Sequence, residues 1–320
     1  MWDQYWSSGQ GACCAEHNSV NYAEDFQQPW KSFFSQLKDS DRVLDLCTGN
    51  GAVMLIALER ALEAGISVRL DGVDSAATRP LETIAELASK HAEINFHART
   101  SVAELPFADD TFDYVSSQFG IEYTPLPQTS RELLRVLKPH GRAQFIMHAA
   151  AGISVKYAKR ELVDIAKLKH EIGIFAAAEK AMQLVCGVER QAGVACGDDI
   201  RAASDAHDVY YEKLKVLGNT WQQRNAAAVF RDTGAIIQHS FQNRDQFPLD
   251  VLLDKLKETE ESVDLHGERL LALIDSAQSS NDCGELLQRF LALGCDEATV
   301  TTVNDVSGDK LLGWRINIRK

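Results

Sequence analysis

The fold is decided by the stretch Val43-Leu-Asp-Leu-Cys-Thr-Gly-Asn-Gly51, in which a short apolar run ends in a turn of small residues. The run from Arg42 to Leu46 is typical of a buried strand, and the residues from Ala52 to about Ala64 have the composition of a helix. Glycine lets the backbone turn sharply and approach a ligand, and the free N–H groups of the following helix point at the same spot. The sequence therefore predicts a strand–turn–helix unit that binds a small molecule.

Strands and helices continue to alternate as far as His148, because short apolar runs of strand length recur along this part of the chain. The predicted strands are Val68–Asp74, Ile94–His97, Phe112–Ser117 and Ala143–His148, with helices near residues 80–90 and 128–137. Lys138-Pro-His-Gly141 predicts that the second of these helices ends in a glycine cap. This order is typical of a parallel sheet covered by helices on both faces.

The amino-acid composition of the chain changes after His148. Residues 153–293 are rich in Ala, Leu, Glu, Lys and Gln, with apolar residues at helical spacing, and predict three or four helices broken near residues 187–197, 243–248 and 279–281. The last stretch is strand-like again, because alternating apolar residues flank a turn at Ser307-Gly-Asp309.

These patterns together predict an α/β fold with a doubly wound, seven-stranded, mostly parallel sheet of the Rossmann-like kind. A large helical insertion precedes the last two strands. The expected core comprises residues 1–150 and 282–320, and the expected insertion comprises residues 151–281.

Composition excludes several classes of partner. The chain of 320 residues has a formal net charge of −13 and no cluster of basic and aromatic residues, which argues against nucleic acid as a partner because its binding depends on neutralising phosphates. No apolar run has the length of a membrane helix, and the N-terminal segment shows no export signal, so a cytoplasmic location without membrane contact is expected. The seven cysteines lack Cys-x-x-Cys spacing and predict reduced thiols and no metal site, with the adjacent Cys13 and Cys14 as an alternative soft-metal pair.

The second element of the expected ligand site is Asp74, at the end of the second strand. In doubly wound folds, an acidic residue about 20 residues after the glycine turn hydrogen-bonds the ribose hydroxyls of an adenosine ligand. The third glycine of a dinucleotide fingerprint would fall at Met54, and Asp45 would repel phosphates but suit a cation. The residues therefore favour S-adenosylmethionine, which carries a sulfonium and an ammonium and no phosphate.

Five segments in order and spacing resemble the class I S-adenosylmethionine-dependent methyltransferases, closest in style to the ubiquinone and menaquinone methyltransferase branch. They are Val43–Gly51, Gly72–Asp74, Ala103-Glu-Leu-Pro-Phe107, Phe112–Val115 and Arg135-Val-Leu-Lys-Pro-His-Gly141. The resemblance implies a methyltransferase that converts S-adenosyl-L-methionine to S-adenosyl-L-homocysteine. That branch lacks the helical insertion, so the resemblance leaves the identity of the acceptor open.

The same resemblance implies roles for ten residues in cofactor binding. The turn would line the methionine end, Asp74 and Ser75 would contact the ribose, Ser101 and Val102 would flank the adenine, and Gln118 would lie over the cofactor. The complete set is Asp45, Cys47, Gly49, Asn50, Gly51, Asp74, Ser75, Ser101, Val102 and Gln118. Ser101 replaces the Asp that is usual in the family, so the contact to the adenine amino group is expected to differ.

Catalytic candidates are the polar residues after the fourth and fifth strands, where ligands of open α/β sheets bind. His148 is the first candidate for a general base because an unperturbed imidazole titrates near neutrality, and Glu122 and Tyr123 are further candidates. Methyl transfer also proceeds without a base in many enzymes of this class. The segment Ser117–Ile121 lacks the Asn-Pro-Pro-aromatic motif of enzymes that methylate nucleobases or glutamine amides, which favours a small-molecule acceptor.

Two functional alternatives stay open at this point. One is a catalytically silent S-adenosylmethionine-binding partner or regulatory protein, and the other is a nicotinamide-dependent enzyme on the same fold. We expect the insertion to act either as a lid that selects the acceptor or as an arm that forms a homodimer. The aromatic N-terminal segment with Trp2, Tyr5, Trp6 and Tyr22 could close over the cofactor or simply pack as a helix.

Overall fold

The computed structural model describes residues 2–7, 23–78, 92–190, 195–224 and 228–320. The chain forms two compact units, one made of Met1–Lys156 and Ala272–Lys320 and the other of Tyr157–Leu271. The second unit therefore starts and ends within the predicted insertion of residues 151–281. The predicted helix near residues 80–90 and the cysteines Cys13 and Cys14 lie outside the described residues, as does Tyr22.

The first unit contains the predicted sheet of seven strands. The strand bounds are β1 Arg42–Leu46, β2 Val68–Val73, β3 Ala92–His97, β4 Phe112–Gln118, β5 Leu137–His148, β6 Glu297–Asn304 and β7 Leu311–Arg319. In spatial order the strands run β3-β2-β1-β4-β5-β7-β6. All neighbouring pairs from β3 to β5 are parallel, whereas β7 is antiparallel to both β5 and β6. The prediction of a doubly wound, mostly parallel sheet that ends in a hairpin is confirmed.

Five helices of the described residues belong entirely to this unit. They are α1 Trp2–Ser7, α2 Glu24–Phe34, α3 Ala52–Ala64, α4 Leu126–Val136 and α10 Ser280–Ala292, and a short 3₁₀ turn spans Ile121–Tyr123. The start of α10 has a reciprocal cap, in which the Ser279 side chain accepts from the Asp282 amide and the Asp282 side chain accepts from the Ser279 amide.

The two faces of the sheet bury separate apolar clusters, as alternation along each strand requires. On one face, Leu44, Val115 and Phe145 pack with residues of α4 and α10. On the other, Val43 and Leu70 pack with α2 and α3. The sheet is therefore the middle of three layers.

The start of β5 corrects one prediction. The sequence predicted a glycine-capped helix end over residues 138–141 and a strand from Ala143, but α4 ends at Val136 and β5 begins at Leu137. Leu137 pairs with Phe112 and Arg142 pairs with Tyr114, so residues 138–141 form a bulge within the strand. The bulge is held by two main-chain hydrogen bonds, from the His140 amide to the Lys320 carbonyl and from the Lys320 amide to the Gly141 carbonyl. The sequence pattern did not indicate Lys320 as a partner because it is far away in the chain.

The region after β5 contains more helices than the three or four predicted. Described residues from 153 to 276 form α5 Ile153–Ala166, α6 Ile174–Arg190, α7 Gly197–Arg224, α8 Ala228–Gln242 and α9 Leu249–Ser276, before α10. A π-helical turn, Lys167–Ile172, separates α5 from α6 and ends at Gly173, whose φ is 63°. The residues of this turn are of types that favour helices, so the sequence did not indicate that α5 and α6 are separate.

The second unit is held together by packing between long helices. Tyr210 of α7 stacks on Phe241 of α8, with ring centroids 4.8 Å apart. A Cβ atom at Gly234 of α8 would lie 2.5 Å from a methyl carbon of Leu217 of α7, so the glycine allows the two helices to approach closely.

The packing of α10 on the sheet can be tested by substitution. Phe290 is fully buried and stacks on Phe145 of β5, with ring centroids 6.1 Å apart. Phe290→Ala is expected to lower the free energy of unfolding by about 3–5 kcal/mol because it leaves a cavity. The matched control Leu291→Ala removes a side chain that is 41% exposed and is expected to change it by at most about 0.5 kcal/mol. Urea unfolding checks this, and equal effects of the two substitutions would contradict the packing.

Candidate functional site

A cavity of about 280 Å³ opens at the carboxyl ends of β1, β2 and β4. This is the position at which open α/β sheets bind their ligands. Its walls come from α1, the glycine turn and the segments after β2 and β4. The lining residues are Trp2, Trp6, Asp45, Cys47, Thr48, Ala52, Val53, Asp74, Ser75, Gln118, Phe119, Gly120, Tyr123 and Thr124.

The glycine turn runs over the end of β1 into α3. Cys47, Gly49 and Gly51 all have positive φ, of 55°, 53° and 88°. Positive φ costs little at glycine but strains a residue with a side chain, so the strain of the turn is concentrated at Cys47. The amide of Thr48 donates to the carbonyl of Val73 at 3.0 Å, which ties the turn to the end of β2.

The first helix covers this turn directly. A Cβ atom on Gly49 would lie 2.4 Å from the ring of Trp6, and the Asn50 side chain donates to the Trp6 carbonyl at 3.1 Å. Gly49 and Asn50 therefore support α1, and Trp6 itself reaches the cavity wall. Gly51 precedes the start of α3, so these three predicted residues shape the turn and are not among the cavity-lining residues.

Asp74 joins the glycine turn to the end of β2. One carboxylate oxygen accepts from the Gly49 amide at 2.8 Å, and the other accepts from the Ala76 amide at 2.8 Å. Burial raises the pKa of Asp74, although these two amides stabilise its charged form. A carboxylate has about four acceptor positions, so two remain for hydroxyl groups of a ligand in the cavity.

Asp45 places a second carboxylate on the same wall. It is buried, and burial raises its pKa to about 7. Hydrogen bonds from Thr48 and Ser116 act in the opposite direction, the latter with Ser116 Oγ 2.7 Å from a carboxylate oxygen. A cation in the cavity would stabilise the charged form of Asp45.

The predicted adenine contacts are placed differently from the other cofactor residues. Val102 is buried in the apolar cluster with β1 and β4, and the Ser101 side chain accepts from the Ala103 amide at 3.2 Å. Neither residue lines the cavity, whereas Asp45, Cys47, Asp74, Ser75 and Gln118 do. The structure therefore brings half of the ten predicted cofactor residues together on the cavity wall.

The three catalytic candidates lie in two layers. Tyr123 lines the cavity, while the side chains of Glu122 and His148 have no exposed surface. Glu122 Oε1 accepts from the His148 amide at 2.9 Å and lies 2.9 Å from His148 Nδ1. Phe119 stacks on the imidazole with centroids 4.1 Å apart, and Tyr123 meets it edge-on at 6.2 Å. The acid–imidazole pair therefore lies behind the two aromatic rings that face the cavity.

Sequence reasoning missed two contributors to the site. Trp30 of α2 donates its indole N–H to the side-chain oxygen of Gln118, and no local pattern links these residues because they are far apart in the chain. Gly120 is the second, since a Cβ there would lie 2.3 Å from the Cβ of Cys47. The close approach of Gly120 to the strained turn becomes visible only when β1 and β4 are paired.

Part of the chain is similar in sequence to known methyltransferases. Residues 43–141 match the family model described as a methyltransferase domain. A 2-phytyl-1,4-naphtoquinone methyltransferase from a Nostoc species is 34% identical over 123 residues, covering 37% of this chain and 52% of the relative. A ubiquinone/menaquinone biosynthesis C-methyltransferase from Rickettsia bellii is 30% identical over 123 residues, covering 35% and 47%.

The chain thus spans about half the length of the curated relatives it matches. Among solved structures, the YcgJ protein from Bacillus subtilis is similar with a TM-score of 0.32 and 24% identity, covering 45% of this chain and 58% of that one. The recognition of a class I methyltransferase domain is confirmed for the matched stretch, residues 43–141.

Within residues 2–7, 23–78, 92–190, 195–224 and 228–320, no three His, Cys, Asp or Glu side chains are grouped as a metal site. Over the same ranges, none of the helices combines the length and the hydrophobicity that a membrane span requires.

The double hydrogen bond of Asp74 predicts a structural effect of its removal. Asp74→Ala is expected to lower the free energy of unfolding of the ligand-free protein by about 1–3 kcal/mol, because the buried amides of Gly49 and Ala76 lose their acceptor. Glu63→Ala, which removes an exposed partner of Arg60, is the control and is expected to cost at most about 1 kcal/mol. Chemical denaturation measures both, and an Asp74→Ala variant as stable as the control would show that the turn does not depend on this carboxylate.

Proposed function

We propose that this chain transfers a methyl group from S-adenosylmethionine to a small-molecule acceptor. The observation that carries the proposal is the charge of the cavity wall. Asp45 and Asp74 both line the cavity, and none of its described lining residues is Lys or Arg. Such a wall stabilises a sulfonium and an ammonium and repels the diphosphate of a dinucleotide.

The residues present fit this cofactor in three places. The carboxylate oxygens of Asp74 have acceptor capacity for the two ribose hydroxyls, and Ser75 lies beside them. Asp45 would pair with the ammonium at the amino-acid end. Trp2 and Trp6 line the cavity, where their rings would keep water from the reacting atoms.

When bound, S-adenosylmethionine supplies an electrophilic methyl group on a positively charged sulfur. The protein's part is to hold the acceptor in line with that methyl group and to keep water away. Tyr123 is the catalytic candidate on the cavity wall, and we assign it to contact with the acceptor. His148 and Glu122 are buried behind Phe119 and do not line the cavity, so we assign this hydrogen-bonded pair to supporting the aromatic wall and not to direct proton uptake from the acceptor.

For the acceptor we propose an aromatic compound of the quinone type. The names of the curated relatives support this, since they describe methyltransferases of naphthoquinones and of ubiquinone and menaquinone precursors. The lining of the cavity supports it too, because Trp2, Phe119 and Tyr123 offer ring faces and edges to a planar ligand.

Ligand-induced stabilisation tests the choice of cofactor. S-adenosylhomocysteine at about 100 times its Kd is expected to stabilise the protein by about 2.7 kcal/mol, whereas NAD is expected to leave the melting temperature unchanged. Stabilisation by NAD alone would contradict the proposal. Binding of S-adenosylhomocysteine without turnover of any quinol acceptor would instead favour a silent binding protein.

The raised pKa of Asp45 predicts how affinity depends on pH. Because the carboxylate must be charged to hold the ammonium, and its pKa is about 7, the affinity for S-adenosylhomocysteine is expected to fall about tenfold between pH 8 and pH 6, with proton release on binding. Calorimetry in two buffers of different ionisation enthalpy measures both quantities. Asp45→Asn is expected to bind more weakly at pH 8 and to lose this dependence, and a variant that keeps it would show that another group titrates.

A further inference from the structure

The orientation of the Gln118 side chain is determined by a partner outside the cavity. Gln118 ends β4 and is only 5% exposed, and its side-chain oxygen accepts from the indole N–H of the fully buried Trp30. An indole N–H is a donor only, so the carbonyl end of the amide must face Trp30. The assignment of oxygen and nitrogen in this amide therefore follows from the chemistry of the pair.

The opposite end of the same amide is left without a protein partner. Gln118 Nε2 is buried and has no hydrogen-bond partner among the described residues, while Gln118 itself lines the cavity. Burying an amide donor without an acceptor costs free energy, and such groups are rare in native structures unless a ligand or water satisfies them. The donor is therefore available to an oxygen atom of a molecule bound in the cavity.

The position of this donor relative to Asp45 indicates which oxygen it meets. Asp45 pairs with Ser116 across β1 and β4, and Gln118 lies two residues further along β4, on the same face as Ser116. The cavity wall thus presents a carboxylate at the end of β1 and, two residues beyond its partner on β4, an amide donor. An α-amino acid group, with its ammonium and its carboxylate, is complementary to this pair.

We propose that Gln118 Nε2 donates a hydrogen bond to the carboxylate at the amino-acid end of S-adenosylmethionine, and that Trp30 is a positioning residue that keeps the amide in this orientation. The inference rests on the proposed function and specifies one contact within it. Helix α2 therefore contributes to binding of the methyl donor through Trp30.

Calorimetry with two ligands tests this contact. S-adenosylhomocysteine carries the carboxylate, and its decarboxylated analogue lacks only that group. Gln118→Met keeps the length of the side chain and removes the donor, so S-adenosylhomocysteine is expected to bind about 10- to 100-fold more weakly. The analogue is expected to bind the variant and the unaltered protein within about twofold of each other.

Two further variants separate the contact from general effects on folding. Trp30→Phe removes the indole donor and is expected to weaken S-adenosylhomocysteine selectively, by less than Gln118→Met does. Gln144→Met is the matched control, because Gln144 is a buried glutamine on the neighbouring strand β5 and does not line the cavity. It is expected to leave the affinity for both ligands unchanged.

The outcomes distinguish this inference from the proposed function. If the unaltered protein binds S-adenosylhomocysteine and Gln118→Met binds it equally well, the inference is wrong and the proposed function stands. An equal loss for both ligands would also overturn the inference, because it would indicate a structural role for Gln118. If the unaltered protein binds neither ligand, the proposed function and the inference both fail.

Discussion

The site depends on the carboxylate of Asp74, which accepts hydrogen bonds from the amides of Gly49 and Ala76 at once. The bond from Gly49 connects the turn after β1 to the end of β2, beside the main-chain bond from Thr48 to Val73, and the bond from Ala76 fixes the orientation of the carboxylate. A buried amide without an acceptor is costly, which makes this arrangement difficult to replace. The same carboxylate faces the cavity, where it is available to a ligand.

The cavity wall next to Asp74 combines a second carboxylate with aromatic rings. Asp45 lies on the neighbouring strand end with its pKa raised by burial, and Trp2 and Trp6 reach the cavity from α1. Positive charge in a bound ligand would compensate the buried carboxylates, and the rings would separate it from water. The charge of the wall thus favours a cationic ligand over one that carries a diphosphate.

Much of this was predictable from the sequence because it is local. The turn from Cys47 to Gly51 and the acidic residue after β2 follow strands of clear apolar pattern, so the order of the sheet and the position of Asp74 could be read directly. Contacts between distant segments could not be predicted in this way. The bonds from Trp30 to Gln118 and from residues 138–141 to Lys320 join parts of the chain whose proximity arises only when the sheet is assembled. Burial of His148 behind Phe119 was hidden for the same reason.

A crystal structure with S-adenosylhomocysteine would show directly what the cavity binds. The ribose hydroxyls are expected within hydrogen-bonding distance of Asp74, and the amino-acid end is expected next to Asp45, near the rings of Trp2 and Trp6. A ligand bound elsewhere, or a phosphate group bound against Asp45 and Asp74, would contradict this expectation.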